Sequence, residues 1–292
     1  MSMLYLRHRV ATLMYMVPLN LKNVLIGLTA AAFVGAPRIQ TFNKNGPLLS
    51  AAITFATRQD SGAVPATVAA PKFESQVALD ALKSVVGPLS HPRALEEAFH
   101  GYFAYKTAHP ADVKKPYLYF VDYGLPSTTP RGYVFDMVER TIVDGPFMVA
   151  AGRGSSPNKD GVSTRFSNNS GSAATSLGLY LADNVYDFTG HSAGRTYGAV
   201  GLRLKGLSTG FNDNAFARGV VAHGAPYVTS TKAGRSEGCP AMEPSRAQRL
   251  LPKLANGGLV FLFAPREDWM SNDPWLAPAT TTASVASTAT SD

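Results

Sequence analysis

The stretch HGAPYVTSTKAGRSEGC opens on His223 and closes on Cys239, the one cysteine among 292 residues. A lone thiol makes no internal disulfide, so it is either a small buried apolar residue or a nucleophile. Its neighbours favour the nucleophile: Gly238 and Pro240 flank it, and Arg235, Ser236 and Glu237 precede it, a poor setting for a core centre. Thiolate attack on an amide or ester carbonyl needs a base to take and return the thiol proton. It also needs donors facing the oxygen that becomes negative. His223 is the candidate base. It ends the apolar run ARGVVA, so a strand would deliver its ring to the rim of a sheet. Gly224 leaves room for a close approach, and its carbonyl is a candidate to fix the imidazole tautomer. The backbone N–H groups of Gly238 and Cys239 are candidates for an oxyanion hole. Arg218 and Arg235 are candidates to lower the thiol pKa or to hold a substrate carboxylate bidentately. Ser236 is a candidate donor to the thiolate or the substrate. Plainer readings stand beside these: solvated surface arginines, and a serine that caps a turn.

Other chemistries find less support. The histidines are His8, His91, His100, His109, His191 and His223. No pair has the H-E-x-x-H spacing, and one cysteine excludes a multi-cysteine zinc site. A site assembled from His191, His223 and a nearby Asp stays open, but no metal and no cofactor is expected. GRGSSPNKDG lacks the residue order of a phosphate-binding loop and reads as a polar hairpin or loop. Gly190 to Gly194, GHSAG, matches the serine-hydrolase pattern G-x-S-x-G literally. An elbow of that kind needs a strand before it and a long helix after it. TYGAVGLRLKG follows and alternates like a strand, so Ser192 reads as part of a turn.

The elements that must hold Cys239 and His223 follow from the period of the apolar residues. FESQVALDALKSVV repeats Phe73, Val77, Leu79, Leu82, Val85 and Val86 at helical spacing, and Gly87-Pro88 stops it. HPRALEEAFHGYFAYKTAHP is a second helix, with Pro92 near its start, Glu96 and Glu97 in its early turns and Pro110 beyond its end. From residue 116 the pattern changes to strands: PYLYFVDY, RGYVFDMVERTIV, GPFMVAAGRG, SLGLYLA, YGAVGLRLKGL, ARGVVAH, PYVTS and GGLVFLFAP. EPSRAQRLLPKLAN is the one late helix, stopped at Asn256-Gly257. The expected fold is mainly β, a sandwich or partly closed barrel with short helices, preceded by two N-terminal helices.

Composition sets the remaining bounds. Nearly half the residues are apolar and 16% are charged, a globular balance. A formal charge of +7 favours anionic surroundings. No Lys/Arg block and no aromatic-basic alternation appears, so nucleic-acid binding is not expected. LKNVLIGLTAAAFVGA puts Lys22 before an apolar run from Val24 to Ala36. That is the form of a secretory signal and is too short to span a bilayer. The expected organisation is a signal or apolar segment over 1–36, a linker over 37–72, a helical region over 73–110, a catalytic domain over 111–270 and a disordered tail over 271–292. Export to the periplasm or cell envelope is expected, with no permanent membrane span and no obligate protein partner.

HGAPYV and the later GRSEGCPAM resemble the L,D-transpeptidase catalytic domain (YkuD-type, the murein L,D-transpeptidase branch). The resemblance extends upstream through SNNSGSAATSLGLY and GLRLKGLSTGFNDNAFARGVVAHG and covers about residues 115 to 265. It implies a mostly β domain in which Cys239 is the acylated nucleophile, His223 the base and Gly224 the source of the orienting carbonyl. It places Ser236 and Gly238 in the cysteine loop, with the Gly238 and Cys239 amides in the oxyanion hole. The wider family often carries an arginine two places after the cysteine, where this sequence has Ala241. Any carboxylate binding would then fall to Arg218 or Arg235. The implied substrate is a peptidoglycan stem peptide and the implied reaction cross-linking. Trimming of stem tetrapeptides by L,D-carboxypeptidase action uses the same residues. A non-catalytic cell-wall-binding module and a secreted cysteine protease of all-L peptides are the rivals from other classes.

Overall fold

A computed structural model describes residues 71–158 and 161–276. The apolar segment before residue 37, the linker up to residue 70 and the tail from residue 277 lie outside the described residues. The chain remains packed through Leu276, past the residue at which the tail was expected to begin. Trp275 Nε1–H donates to the Leu207 carbonyl at 2.7 Å, and Leu276 is buried.

Helix α1 spans Pro71–Leu82 and α2 spans Ala94–Ala108. Both were legible from helical spacing, and they form no module apart from the strands. Ala78, Leu82, Leu95, Phe99 and Tyr102 belong to the same buried cluster as the central strands. Phe99 meets Phe135 edge to face at 5.3 Å, a favoured arrangement for aromatic quadrupoles. Glu97, fully buried on α2, pairs with Arg93 one turn earlier.

The strands are β1 (Tyr117–Asp122), β2 (Gly132–Asp136), β3 (Thr141–Phe147), β4 (Ala151–Gly152), β5 (Gly178–Ser192), β6 (Arg195–Gly206), β7 (Val221–Gly224), β8 (Arg235–Ser236), β9 (Ala241–Met242) and β10 (Leu259–Phe263). Eight of them form one mixed sheet in the order β3-β2-β1-β10-β5-β6-β7-β9, and β4 pairs with β8 in a second sheet of two strands. The fold is therefore mainly β, as expected, with a few short helices. The large sheet is not a closed barrel: β3 and β9 lie at its two ends. The chain leaving β3 curls back and meets β9 through an isolated bridge, Ala150 to Ala241.

β10 occupies the centre. It runs parallel to β1 and antiparallel to β5, and all five of its side chains are buried. An unbroken apolar strand of this kind needs cover on both faces. Helix α3 (Pro244–Leu254) packs against β6 and β7. Ala247, Leu250, Leu251 and Leu254 are its buried residues, at the helical spacing of a single apolar stripe.

β5 and β6 form the longest element. Their pairing runs from Tyr180 opposite Gly206 to Ser192 opposite Arg195, twice as far as SLGLYLA alone suggested. Ala193 and Gly194 close the hairpin, both at positive φ (49° and 74°), the signature of a two-residue type I′ turn. Ser192 thus sits at a hairpin tip with no helix after it, and the turn reading of GHSAG holds. PYVTS is not a strand; it forms a short loop with a single bridge between Val228 and Ala233.

Candidate functional site

β7 and β9 are the short strands that bring the site together. They run parallel, with His223 opposite Ala241 and Gly224 opposite Met242, and the His223 N–H donates to the Pro240 carbonyl at 3.3 Å. Cys239 stands two residues before Ala241, the residue that pairs with His223, so the cysteine loop leads into the strand beside the one that carries the imidazole. The Val221 N–H and the Arg218 charge both favour the thiolate, and the Sγ lies 4.0 Å from the Gly219 carbonyl. Cys239 is half-buried and lines an open cavity of about 520 Å³ with Arg153, Ser170, Ala173, Arg218, Gly219 and Glu237. It is no core residue.

His223 is 3% exposed. Its Nδ1 lies 3.0 Å from the Gly224 carbonyl. A carbonyl only accepts, so Nδ1 carries the proton and Nε2 keeps its lone pair. The ring stacks on Phe188 of β5, with centroids 4.3 Å apart and planes 29° from parallel. Burial pulls the His223 pKa below its usual 6.5, against the Gly224 hydrogen bond that raises it. Burial pushes the Cys239 thiol up, and the Val221 N–H and Arg218 only partly oppose this. Both shifts favour the neutral forms, a thiol and an imidazole, over an ion pair. Gly224 is required by packing: a Cβ there would lie 3.0 Å from Pro244 Cα and 3.1 Å from Ala247 Cβ at the start of α3.

Three residues chosen from sequence take other tasks. Ser236 does not face the thiol. It is 5% exposed, its Oγ–H donates to the Cys239 carbonyl at 2.6 Å, and its Oγ accepts from the Gly238 N–H at 3.2 Å. It folds the cysteine loop onto itself, and it occupies the Gly238 amide that was a candidate oxyanion donor. The Cys239 N–H has no hydrogen-bond partner among the described residues. Arg218 does reach the cavity, but its guanidinium is engaged. Nη1 donates to the Ser167 carbonyl at 2.7 Å and Nη2 to the Ala174 carbonyl at 2.8 Å, with the Ser176 and Ser172 hydroxyls each at 3.3 Å. It lowers the thiol pKa as expected but clamps the 167–176 loop in place of a substrate carboxylate. Arg235 is exposed on β8 and does not line the cavity.

Sequence reasoning missed Phe188, Arg153 and Glu237. Phe188 carried a signal: VYDFTG continues the alternation of β5, with Tyr186 and Phe188 half-buried and Asp187 and Thr189 exposed. Arg153 comes near the cysteine loop only because β4 pairs parallel with β8, Gly152 opposite Ser236, a pairing too short to read from pattern. Among the described residues no group of three His, Cys, Asp or Glu side chains could hold a metal ion. His191 is exposed near the hairpin tip, opposite Thr196, whereas His223 is buried in β7.

The family pattern of the L,D-transpeptidase catalytic domain matches residues 89–263, well over half of the chain. The chain belongs to the L,D-transpeptidase catalytic-domain family. The match takes in β1 to β10 together with α2 and α3. Among solved structures, an L,D-transpeptidase from Mycobacterium smegmatis is 14% identical, with 51% of this chain and 59% of that one covered and a TM-score of 0.30. An L,D-transpeptidase from Stackebrandtia nassauensis is 16% identical over 67% of this chain and 92% of that one, with a TM-score of 0.31. One from Mycobacterium tuberculosis H37Rv is 14% identical over 51% and 57%, with a TM-score of 0.28. The chain therefore spans less than two thirds of the first of these relatives. Comparison with curated proteins gives no match.

Proposed function

We propose that this L,D-transpeptidase-family domain acts on peptidoglycan stem peptides through an acyl-enzyme on Cys239. One observation supports the reading: the half-buried Cys239 leads directly into β9, and β9 pairs with the strand that carries an imidazole whose Nδ1 is held by the Gly224 carbonyl. Only Nε2 is left to take a proton, and the loop that leads into the neighbouring strand bears the sulfur that must give one.

The chemistry follows from that arrangement. Both groups are neutral at rest, so the proton leaves the sulfur for Nε2 as the sulfur attacks the carbonyl of the L-centre of the diamino acid in the stem. The new imidazolium is stabilised by its bond to Gly224. The oxygen that becomes negative meets the unpaired Cys239 N–H. Collapse breaks the amide bond to D-alanine, and the imidazolium proton goes to the departing nitrogen. An amine of a second stem then attacks the thioester, giving up its proton to His223, and the thiol is restored. Water in place of the amine gives a trimmed tripeptide. Activity at the cell wall, outside the cytoplasmic membrane, suits this substrate. No helix among the described residues is long and apolar enough to cross a membrane.

The test is incubation with purified tetrapeptide muropeptides, read by mass spectrometry. Wild type yields dimers with release of D-alanine, and Cys239→Ala yields neither while keeping its thermal melt. Tripeptides without dimers would assign the hydrolytic outcome in place of cross-linking. Equal yields from wild type and Cys239→Ala would end the cysteine mechanism, and binding without turnover by wild type would leave a wall-binding module.

A further inference from the structure

The cavity beside Cys239 has an unassigned polar edge. Arg153 and Glu237 both line it. Arg153 Nε donates to both carboxylate oxygens of Glu237, at 2.7 and 2.9 Å. The two side chains are 61% and 71% exposed, and an exposed pair adds little net stability, so its partners exchange at small cost. Their backbones do not move freely. Gly152 pairs with Ser236 in the β4–β8 ladder, and the Arg153 N–H donates to the Ser236 carbonyl at 2.8 Å. Gly152 permits this closeness: a Cβ there would lie 2.3 Å from the Ala173 carbonyl oxygen and 2.8 Å from Gly238 Cα. The fold thus fixes one cation and one anion side by side at the mouth of the thiol cavity.

The other cations near the thiol are committed or misplaced. The Arg218 guanidinium is held by two main-chain carbonyls, and Arg235 is outside the cavity. Arg153 is the cavity-lining arginine whose partner a ligand can replace.

We propose that Arg153 and Glu237 dock a zwitterionic amino-acid head, its carboxylate against Arg153 and its ammonium against Glu237. This rests on Cys239 being the acylated residue. The head is then the far end of a diamino acid such as diaminopimelate, whose near centre supplies the attacked carbonyl. Glu237 is two residues from Cys239, so their α-carbons are at most about 7 Å apart, and the four C–C bonds between the two centres of such a diamino acid reach about 5 Å. A group with only a carboxylate makes one new contact, to Arg153, whereas a zwitterion makes one to each side chain.

Binding to the Cys239→Ala protein tests the docking point without turnover. Calorimetry compares three tetrapeptides: one with diaminopimelate, one with its side-chain carboxylate amidated, and one with its side-chain amine acetylated. The diaminopimelate form should bind about threefold tighter than either, the value of an exposed charge pair. Adding Arg153→Met should abolish the preference over the amide and leave the preference over the acetylated form. Adding Glu237→Gln should do the reverse. Both residues are exposed, so an unchanged melting temperature confirms that each variant is folded. Preferences that survive both substitutions, or equal affinity for all three ligands, overturn the proposal. Turnover of the diaminopimelate tetrapeptide by the wild type separates the two readings. Selective binding without acylation of Cys239 keeps the docking point and removes the acyl-enzyme; acylation with unselective binding does the opposite.

Discussion

Replacing Arg218 separates a structural clamp from a substrate receptor. Its two short bonds run to the main-chain carbonyls of Ser167 and Ala174, which bracket the loop that forms one wall of the thiol cavity. Hydrogen bonds from a charged group contribute about 1.5–3 kcal/mol each. Arg218 is partly exposed, so the lower end applies, and Arg218→Met should cost about 3 kcal/mol. With a urea slope of about 3 kcal/mol/M, the unfolding midpoint falls by about 1 M. Arg218→Lys should recover less than half of this, because an ammonium on a flexible stem cannot reproduce the planar fork that reaches both carbonyls. The thiol should also alkylate more slowly at a given pH, since the Arg218 charge is one of the influences that lower its pKa. Urea titration followed by tryptophan fluorescence reads the first effect and iodoacetamide labelling the second. Both variants keeping their midpoints within about 0.2 M, while KM for a carboxylate-bearing stem rises, would refute the clamp and make Arg218 the carboxylate receptor.

Further outcomes follow from the same geometry. His223 titrates below 6.5 when folded and near 6.5 when unfolded, so the unfolded chain binds the extra proton first. Its stabilising contribution is whole above pH 6.5 and is lost as pH falls through the folded value; urea midpoints at pH 7 and pH 5 should differ in that direction, and kcat/KM should fall on the same acid side. His223→Gln should lower turnover at pH 7 at least about 100-fold while leaving the thiol-labelling profile near that of the wild type, since the thiol is neutral at rest; turnover kept within about tenfold would remove His223 as the base. Ser192→Ala, at the hairpin tip, should leave turnover within about twofold, and a loss beyond tenfold would restore GHSAG as a catalytic element.

Long periodic stretches were legible because their burial is local. Leu95, Phe99 and Phe103 lie on one helical face and are all buried, and LVFLF reads as a central strand for the same reason. The short elements were not legible. β4, β8 and β9 have two residues each, fewer than any periodicity can register, and they exist because distant chains supply their partners. PYVTS had the composition of a strand and lacked a neighbour to pair with beyond the Val228–Ala233 bridge. The hairpin failed the opposite way. DNVYDFTGHS alternates, but its Asp, Asn, Thr and Gly content reads as loop. β6 turns that content into a ladder by presenting a matching edge, with Tyr186 packed under Arg203 at 4.3 Å.

The site divides along the same line. Cys239, His223 and Gly224 were chosen because their proposed chemistry depends on residue type: a thiol, an imidazole, and a glycine that leaves room for a close approach. Ser236, Arg218 and Arg235 were harder to read because a hydroxyl or a guanidinium serves substrate or backbone according to which acceptor stands nearer. Inside a loop of GRSEGC the nearer acceptor is the loop itself. A carbonyl turned inward at Cys239 would be costly if unpaired, and Ser236 is the side chain in reach. The same demand explains Arg218, since the carbonyls of Ser167 and Ala174 need donors that no strand supplies. A polar side chain beside a nucleophile is committed first to unpaired main-chain groups around it. Arg153 and Glu237 have no such obligation, because the β4–β8 ladder already satisfies the backbone beneath them. That freedom, which no residue type announces, leaves their charges available to a ligand.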